Sequence, residues 1–159
     1  MVNYVCQRRL HWEPQRQSGL EKDFPSSSSQ QFTFTVQDPI PFTSPVDYRI
    51  LRNDWPYGVA DDIVHLVVWL KTPIAVNPAD GFLIPESRAL IERFVDKTFV
   101  QRLKQEGGHG DAGDAVLWFK NWTALQSVGA LEHVHVMVRG ADQGILTEWT
   151  GQNEALEMA

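Results

Sequence analysis

Two stretches of the chain carry apolar side chains in the pattern of buried β-strands. The run IVHLVVWL (63–70) is apolar on both faces, which predicts a central strand. The run HVHVMV (133–138) alternates, so its valines are expected to face a core. His133 and His135 stand two residues apart in this run. Their imidazoles should therefore share the opposite face, about 6.5–7 Å apart along the chain.

A helix and two further strands complete the predicted core. Pro85 opens the helix at its first turn, where a missing N–H costs little. Apolar residues then recur at helical spacing until Gly107 and Gly108 stop the helix. The runs DYRILRND (47–54) and AVLWF (115–119) predict the remaining strands. This order favours an α+β domain with helical cover on a mainly antiparallel sheet.

The N-terminal part predicts less regular structure. Residues 1–12 resemble the end of a helix, and FTFTV (32–36) alternates like an edge strand. Residues 13–31 are rich in Pro, Gly, Ser and Gln, a composition that predicts a mobile loop. We therefore divide the chain into an N-terminal segment with its loop (1–46), an α+β core (47–150) and a tail (151–159).

Composition narrows the class of protein. The length of 159 residues fits one domain, and the hydrophobic content of 43% is sufficient for a core. A single cysteine, Cys6, excludes an internal disulfide and fits a reducing compartment. No secretory leader and no apolar run of membrane-spanning length is visible, so we expect a soluble cytoplasmic protein without membrane contact. The net charge of −6 disfavours strong non-specific nucleic-acid binding.

His133 and His135 are the first candidates for chemistry. They could bind a phosphate, exchange a proton with a substrate, or simply be satisfied histidines of the core. Two histidines on one strand make only half of a zinc site. No cysteine pair or HExxH helix supplies the other half, so no metal is predicted.

Asp61 and Asp62 precede the central strand and are the second candidates. Paired carboxylates can hold a guanidinium through bidentate hydrogen bonds or shift each other's pKa for proton transfer. A solvated turn is the structural alternative. His65 follows within an apolar strand and is interpreted as buried structure.

Polar side chains between the last two strands are the third candidates. Lys120 and Asn121 stand among aromatic residues at a strand end, where they could contact an anion. Gln126 and Ser127 immediately precede the last strand and could hold a phosphate or a carbonyl. A turn or cap role is the alternative for these two.

Four ordered motifs resemble the fungal N-acetylglucosamine-induced-protein-like family. They are NDWPYG (53–58), IVHLVVW (63–69), WFKNW (118–122) and LEHVHVMVR (131–139). More remotely, the last motif and the preceding QSV are similar to the histidine-triad (HIT) strand QSV-x-His-φ-His-φ-His-φ-φ-x-Arg. Aligning Arg139 with the terminal arginine places His135 at the third histidine and His133 at the central, nucleophilic one. Leu131 then occupies the first position.

These resemblances imply a HIT-like fold and three functions. Some members of the fungal family are arginine-containing cyclodipeptide synthases, which join amino acids from arginyl-tRNA and a second aminoacyl-tRNA into a diketopiperazine. That resemblance implies no cofactor, with Asp61, Asp62, His133 and His135 catalytic. Lys120, Asn121, Gln126, Ser127 and Arg139 would bind the substrates. The alternatives are a non-catalytic protein that binds a nucleotide or sugar phosphate and a residual HIT hydrolase that uses His133.

Overall fold

The sheet and its helices lie within the part of the chain that the computed structural model describes, residues 4–13, 15, 33–55, 57–108, 110–121 and 131–152. Two 3₁₀ turns, Pro45–Asp47 and Ala112–Ala115, precede β1 and β3. The strands are β1 (Tyr48–Arg52), β2 (Ile63–Leu70), β3 (Val116–Phe119) and β4 (Glu132–Arg139); the helices are α1 (Val5–Leu10, with π-type hydrogen bonds), α2 (Pro85–Val95), α3 (Gln101–Glu106) and α4 (Gln143–Thr150).

The four strands form one antiparallel sheet in the order β1-β2-β4-β3. β2 and β4 are its inner strands, so the central position predicted for β2 is confirmed. The α+β class and the antiparallel sheet are also confirmed. The predicted division of the chain at residues 46 and 150 stays a prediction.

One face of the sheet packs against the helices and forms the main core. The valines of β4 lie on this face, as predicted, opposite Leu66 and Val68 of β2. The predicted helix runs from Pro85 to Glu106, with a π-helical segment (Asp96–Val100) joining α2 to α3. Burial of these apolar side chains supplies the main driving force for folding.

The other face of the sheet is partly covered by α1. Val5, Cys6 and Leu10 of this helix pack against Leu51, Val67, Trp69 and Leu131 of the sheet. Because side chains alternate along a strand, this is the face that also carries the histidines of β4. Helix α1 therefore walls one side of the candidate site.

Two elements differ from the predictions. The strand predicted for FTFTV is wrong over the described residues 33–36, where Thr33 makes only an isolated bridge with Gln15. Nearby, the buried carboxylate of Asp47 accepts the backbone N–H groups of Gln37 and Asp38, which a strand would offer to a neighbour.

Helix α4 was not predicted, although the sequence contains its signals. The side chain of Asp142 caps the N-terminus by accepting from the N–H of Ile145. Gly151 ends the helix with φ of 68°, a left-handed conformation that glycine adopts without strain. None of the described helices is long and apolar enough to cross a membrane.

Candidate functional site

Three histidines from two neighbouring strands meet on the face that α1 partly covers. Register places Val67 of β2 opposite His135 of β4, so His65, two residues before Val67, points to the same side as His135. The rings of His133 and His135 contact each other with centroids 5.1 Å apart, which confirms that they share a face. His65, His133 and His135 are called the histidine cluster below.

Hydrogen bonds fix the rings of the cluster. Nε2 of His65 lies 2.9 Å from Nδ1 of His135, and the amide nitrogen of Asn53 lies 3.2 Å from Nδ1 of His65. Nδ1 of His133 donates to the carbonyl oxygen of Leu131 over 2.8 Å. A neutral imidazole that donates through one nitrogen accepts through the other. Nε2 of His133 therefore carries the lone pair of the ring and can accept a proton.

Aromatic rings pack around the histidines and restrict their motion. Phe119 of β3 stacks on His135 with centroids 4.7 Å apart and an interplanar angle of 9°. Tyr57 stands edge-on to His65 at 4.5 Å, and Trp69 packs on His133 at 4.9 Å. This apolar surround removes water from the imidazoles and holds their nitrogens in fixed directions.

The cluster is buried, and burial keeps it neutral. The exposed fractions of His65, His133 and His135 are 8%, 3% and 6%. Burial, together with electrostatic repulsion from His133, His65 and Lys120, lowers the pKa of His135 to about 3. Burial also lowers the pKa of His65 and of His133. All three imidazoles are therefore uncharged near neutral pH.

One polar atom of the cluster has unused hydrogen-bonding capacity. Nε2 of His135 is shielded from solvent, and no described residue forms a hydrogen bond with it. An unsatisfied buried polar group costs about 1–3 kcal/mol, so proteins retain few of them. A substrate atom bound beside His133 would satisfy it.

The cluster does not have the geometry of a metal site. Within the described ranges, no three His, Cys, Asp or Glu side chains are arranged to hold a metal ion. The hydrogen bond between His65 and His135 directs their facing nitrogens at each other, and a common metal would need both lone pairs.

Lys120 lies near the cluster but is engaged in an ion pair. Its ammonium nitrogen is 2.6 Å from a carboxylate oxygen of Glu132, the first residue of β4. The other oxygen of Glu132 accepts the N–H of Ile74 over 2.9 Å. The side chain of Lys120 is only 6% exposed and that of Glu132 is 18% exposed. The ion pair thus ties the end of β3 to the start of β4, and a substrate anion would compete with Glu132.

Replacing Lys120 by methionine is expected to lower the free energy of unfolding by about 3 kcal/mol, because Glu132 would keep a largely buried, unpaired charge. Adding Glu132→Gln should restore most of this loss. The exposed pair of Arg88 with Glu92 supplies the control, and Arg88→Met should cost less than about 1 kcal/mol. Urea denaturation measures all three. Equal losses for Lys120→Met and Arg88→Met would contradict the structural role of the buried pair.

Of the three other candidates between β3 and β4, only Asn121 lies within the described residues. Asn121 is half-buried and lines a cavity of about 150 Å³ together with Lys120 and Arg88. Gln126 and Ser127 lie outside the described residues. Their predicted contact with a phosphate or carbonyl stays a prediction.

Asp61, Asp62 and Arg139 lie at the far end of the inner strands. Asp62 pairs with Arg139 over 3.2 Å, and both side chains are exposed. His133 stands opposite Trp69, seven residues along β2 from Asp62, a separation of about 23 Å. The structure therefore brings His133 and His135 together but leaves the two carboxylates and Arg139 outside the cluster.

Sequence reasoning missed three contributors to the site. His65 was interpreted as buried structure, and Asn53 and Phe119 were not singled out. One signal was present, since His65 is the only polar residue in an otherwise apolar eight-residue strand. Its pairing with His135 depends on the register of β2 and β4, which the sequence does not display.

Fold and site together define a class: an antiparallel α+β protein with a buried histidine cluster on the sheet face opposite its main helical core. The chain belongs to the family described as "Protein of unknown function (DUF3605)", which matches residues 1–139. It is similar to N-acetylglucosamine-induced protein 1 of Candida albicans (strain SC5314 / ATCC MYA-2876), 31% identical over 149 residues. The predicted resemblance to such proteins is confirmed.

A second curated protein and a solved structure are also similar to this chain. Uncharacterized protein YPL067C of Saccharomyces cerevisiae (strain ATCC 204508 / S288c) is 30% identical over 141 residues. The match to the Candida protein covers 92% of this chain and 55% of the relative, and the match to the Saccharomyces protein covers 87% and 59%. The chain thus spans less than two thirds of either curated relative. The crystal structure of HTC1 superposes with a TM-score of 0.58 at 26% identity, covering 93% of this chain and 71% of that one.

Proposed function

We propose that the histidine cluster catalyses acyl transfer between aminoacyl-tRNAs, giving an arginine-containing cyclic dipeptide in fungal secondary metabolism. One observation carries the proposal: the basic Nε2 of His133 lies beside a second buried imidazole, His135, whose Nε2 has no described partner. A base and a polar atom in a site with little water are what an acyl transfer requires.

In this proposal His133 moves the proton. The neutral α-amino nitrogen of one aminoacyl group attacks the ester carbonyl of the other, so a C–N bond forms and the C–O bond to the tRNA ribose breaks. Nε2 of His133 takes the proton from the amine and delivers it to the departing ribose oxygen. A second, intramolecular transfer repeats these steps, closes the ring and releases the second tRNA. Aminoacyl esters are already activated, so neither ATP nor a metal is needed.

The proposal limits the role of Asp61 and Asp62. About 23 Å separates Asp62 from the position of His133 along the sheet, farther than an arginine side chain reaches. A guanidinium held by these carboxylates therefore does not belong to the aminoacyl group that reacts at His133. In this proposal the two aspartates bind substrate at the surface, and the chemistry depends on the histidines.

A direct assay tests the proposal. The protein is incubated with arginyl-tRNA and a panel of second aminoacyl-tRNAs, and the products are analysed by mass spectrometry. We expect an arginine-containing diketopiperazine whose formation requires both charged tRNAs. The absence of such a product across the whole panel, with protein shown to be folded, would reject the proposal.

A second candidate is a HIT-like protein that binds a nucleotide or sugar phosphate without catalysis. It is favoured by the nearness of Lys120, whose charge acts on both His133 and His135, and by the name of the Candida relative, which refers to N-acetylglucosamine. Calorimetry with nucleotides and amino-sugar phosphates tests it. Micromolar binding lost in His135→Gln is the expected result, and uniformly absent heat would reject it.

A further inference from the structure

We propose that Asn53 and His65 are positioning residues that fix His135 with its hydrogen on Nε2, so that the cluster presents one donor and one acceptor to a substrate. This inference rests on the proposed site but not on the identity of its reaction. The juxtaposition that carries it is a continuous series of contacts from the amide of Asn53 through His65 to the unpartnered atom of His135.

The direction in which hydrogens are donated along this series of contacts is set at Asn53. Its Nδ2 lies 2.5 Å from the carbonyl oxygen of Trp55 and 3.2 Å from Nδ1 of His65. A carbonyl oxygen only accepts hydrogen bonds, so the group facing Trp55 must be the amide NH₂ and not the amide oxygen. The second hydrogen of the same NH₂ is then donated to Nδ1 of His65.

The assignment passes from ring to ring. Because Nδ1 of His65 accepts, the hydrogen of this neutral ring resides on Nε2, which donates to Nδ1 of His135 over 2.9 Å. His135 in turn carries its hydrogen on Nε2. That atom is the one without a described partner, so the series ends in a buried N–H donor.

The two ends of the site therefore differ in hydrogen-bonding character: one accepts and the other donates. His133 donates through Nδ1 to Leu131 and offers a lone pair at Nε2, whereas His135 offers a hydrogen at Nε2. The ring centroids are 5.1 Å apart. The matching ligand carries an N–H or O–H group for His133 beside an oxygen without hydrogen, such as an acyl or phosphoryl oxygen, for His135. In an acyl transfer the His135 donor would stabilise the negative oxygen of the transition state.

Nitrogen NMR tests the assignment without any substrate. In ¹⁵N-histidine-labelled wild-type protein, long-range ¹H–¹⁵N spectra should show protonated Nε2 and unprotonated Nδ1 for both His65 and His135, and the reverse for His133. A wild-type spectrum with the His135 hydrogen on Nδ1 overturns the proposal. This measurement needs no variant and so does not depend on a variant's folding.

Asn53→Asp should reverse the direction of hydrogen donation along the series. A carboxylate only accepts, so it would take a hydrogen from Nδ1 of His65, and His135 would then carry its hydrogen on Nδ1. The spectrum is recorded at pH 9, where the imidazoles are neutral. Asn77→Asp, an exposed asparagine in another loop, is the matched control and should leave all three histidine patterns unchanged. An unaltered His135 pattern in folded Asn53→Asp overturns the proposal.

The activity readout separates this inference from the proposed function. If wild-type protein forms the cyclic dipeptide, Asn53→Asp should lower kcat at least tenfold with little change in KM, because the lost donor acts on the transition state. A wild type with the assigned tautomers but no product rejects the acyl-transfer function and leaves the positioning role standing. If the activity is confirmed but the tautomers are opposite to those assigned, the positioning role is rejected and the acyl-transfer function stands.

Discussion

Replacing His133 by glutamine is expected to lower cyclodipeptide formation by about 10²–10⁴-fold, the usual contribution of a general base. Nε2 of His133 is the one lone-pair nitrogen of the cluster that takes no part in the hydrogen bonds joining Asn53, His65 and His135. Because the base acts on the proton that moves during bond formation, the loss should appear in kcat more than in KM. Initial rates of product formation, measured by mass spectrometry with saturating charged tRNAs, test this expectation.

An exposed histidine supplies the control for this experiment. His11 lies outside the cluster at the end of α1 with φ of 55°, a left-handed conformation that asparagine tolerates. His11→Asn should therefore keep wild-type activity. If folded His133→Gln retained more than a tenth of the wild-type rate, His133 would not be the base, and the acyl transfer would need another centre.

The inner strands were predictable because their patterns are local. The valines of β4 alternate with His133 and His135, and alternation alone assigns the two faces of a strand. The helix from Pro85 to Glu106 was predictable for the same reason, since its period and its stop signals are read within one segment. Local patterns thus indicated the face on which the chemistry would lie.

The composition of the site was not predictable from such patterns. His65 lies 70 residues before His135, and their hydrogen bond exists only because β2 pairs with β4 in one register. A shift of one residue would have turned His65 to the opposite face. Proximity in the sequence is no guide either, since Asp62 lies only three residues before His65 and is still not part of the histidine cluster. The turn instead sends Asp62 to the strand end, where it pairs with Arg139.

Position along the strand therefore separates two kinds of polar residue. The three histidines, at the third position of β2 and the second and fourth of β4, are enclosed by Tyr57, Trp69 and Phe119. Asp62 and Arg139, at the other end of the paired strands, are exposed. Enclosure is what keeps the three imidazoles uncharged and their hydrogen bonds directional. Because enclosure lowers the pKa values of these histidines, it also makes the free energy of unfolding depend on pH.

The folded protein is expected to lose stability steeply as the pH falls below about 6.5, the pKa of a histidine in an unfolded chain. Burial and nearby positive charge lower the pKa of His135 to about 3 in the folded protein. Between these values the unfolded chain binds a proton that the folded chain does not. The free energy of unfolding then decreases by about 1.4 kcal/mol per pH unit for this histidine. His65 and His133, whose pKa values are also lowered, add to the slope.

Over the whole interval, His135 alone accounts for about 5 kcal/mol, which is comparable to the total stability of a small domain. Urea denaturation at intervals between pH 7 and pH 4 measures the slope. His135→Gln removes one titrating group, so its slope should be smaller than that of the wild type by about 1.4 kcal/mol per pH unit. His11→Asn, in which the lost histidine was exposed, should keep the wild-type slope. Parallel curves for the wild type and His135→Gln would show that His135 is protonated in the folded protein, against the neutral, hydrogen-bonded cluster from which the site is built.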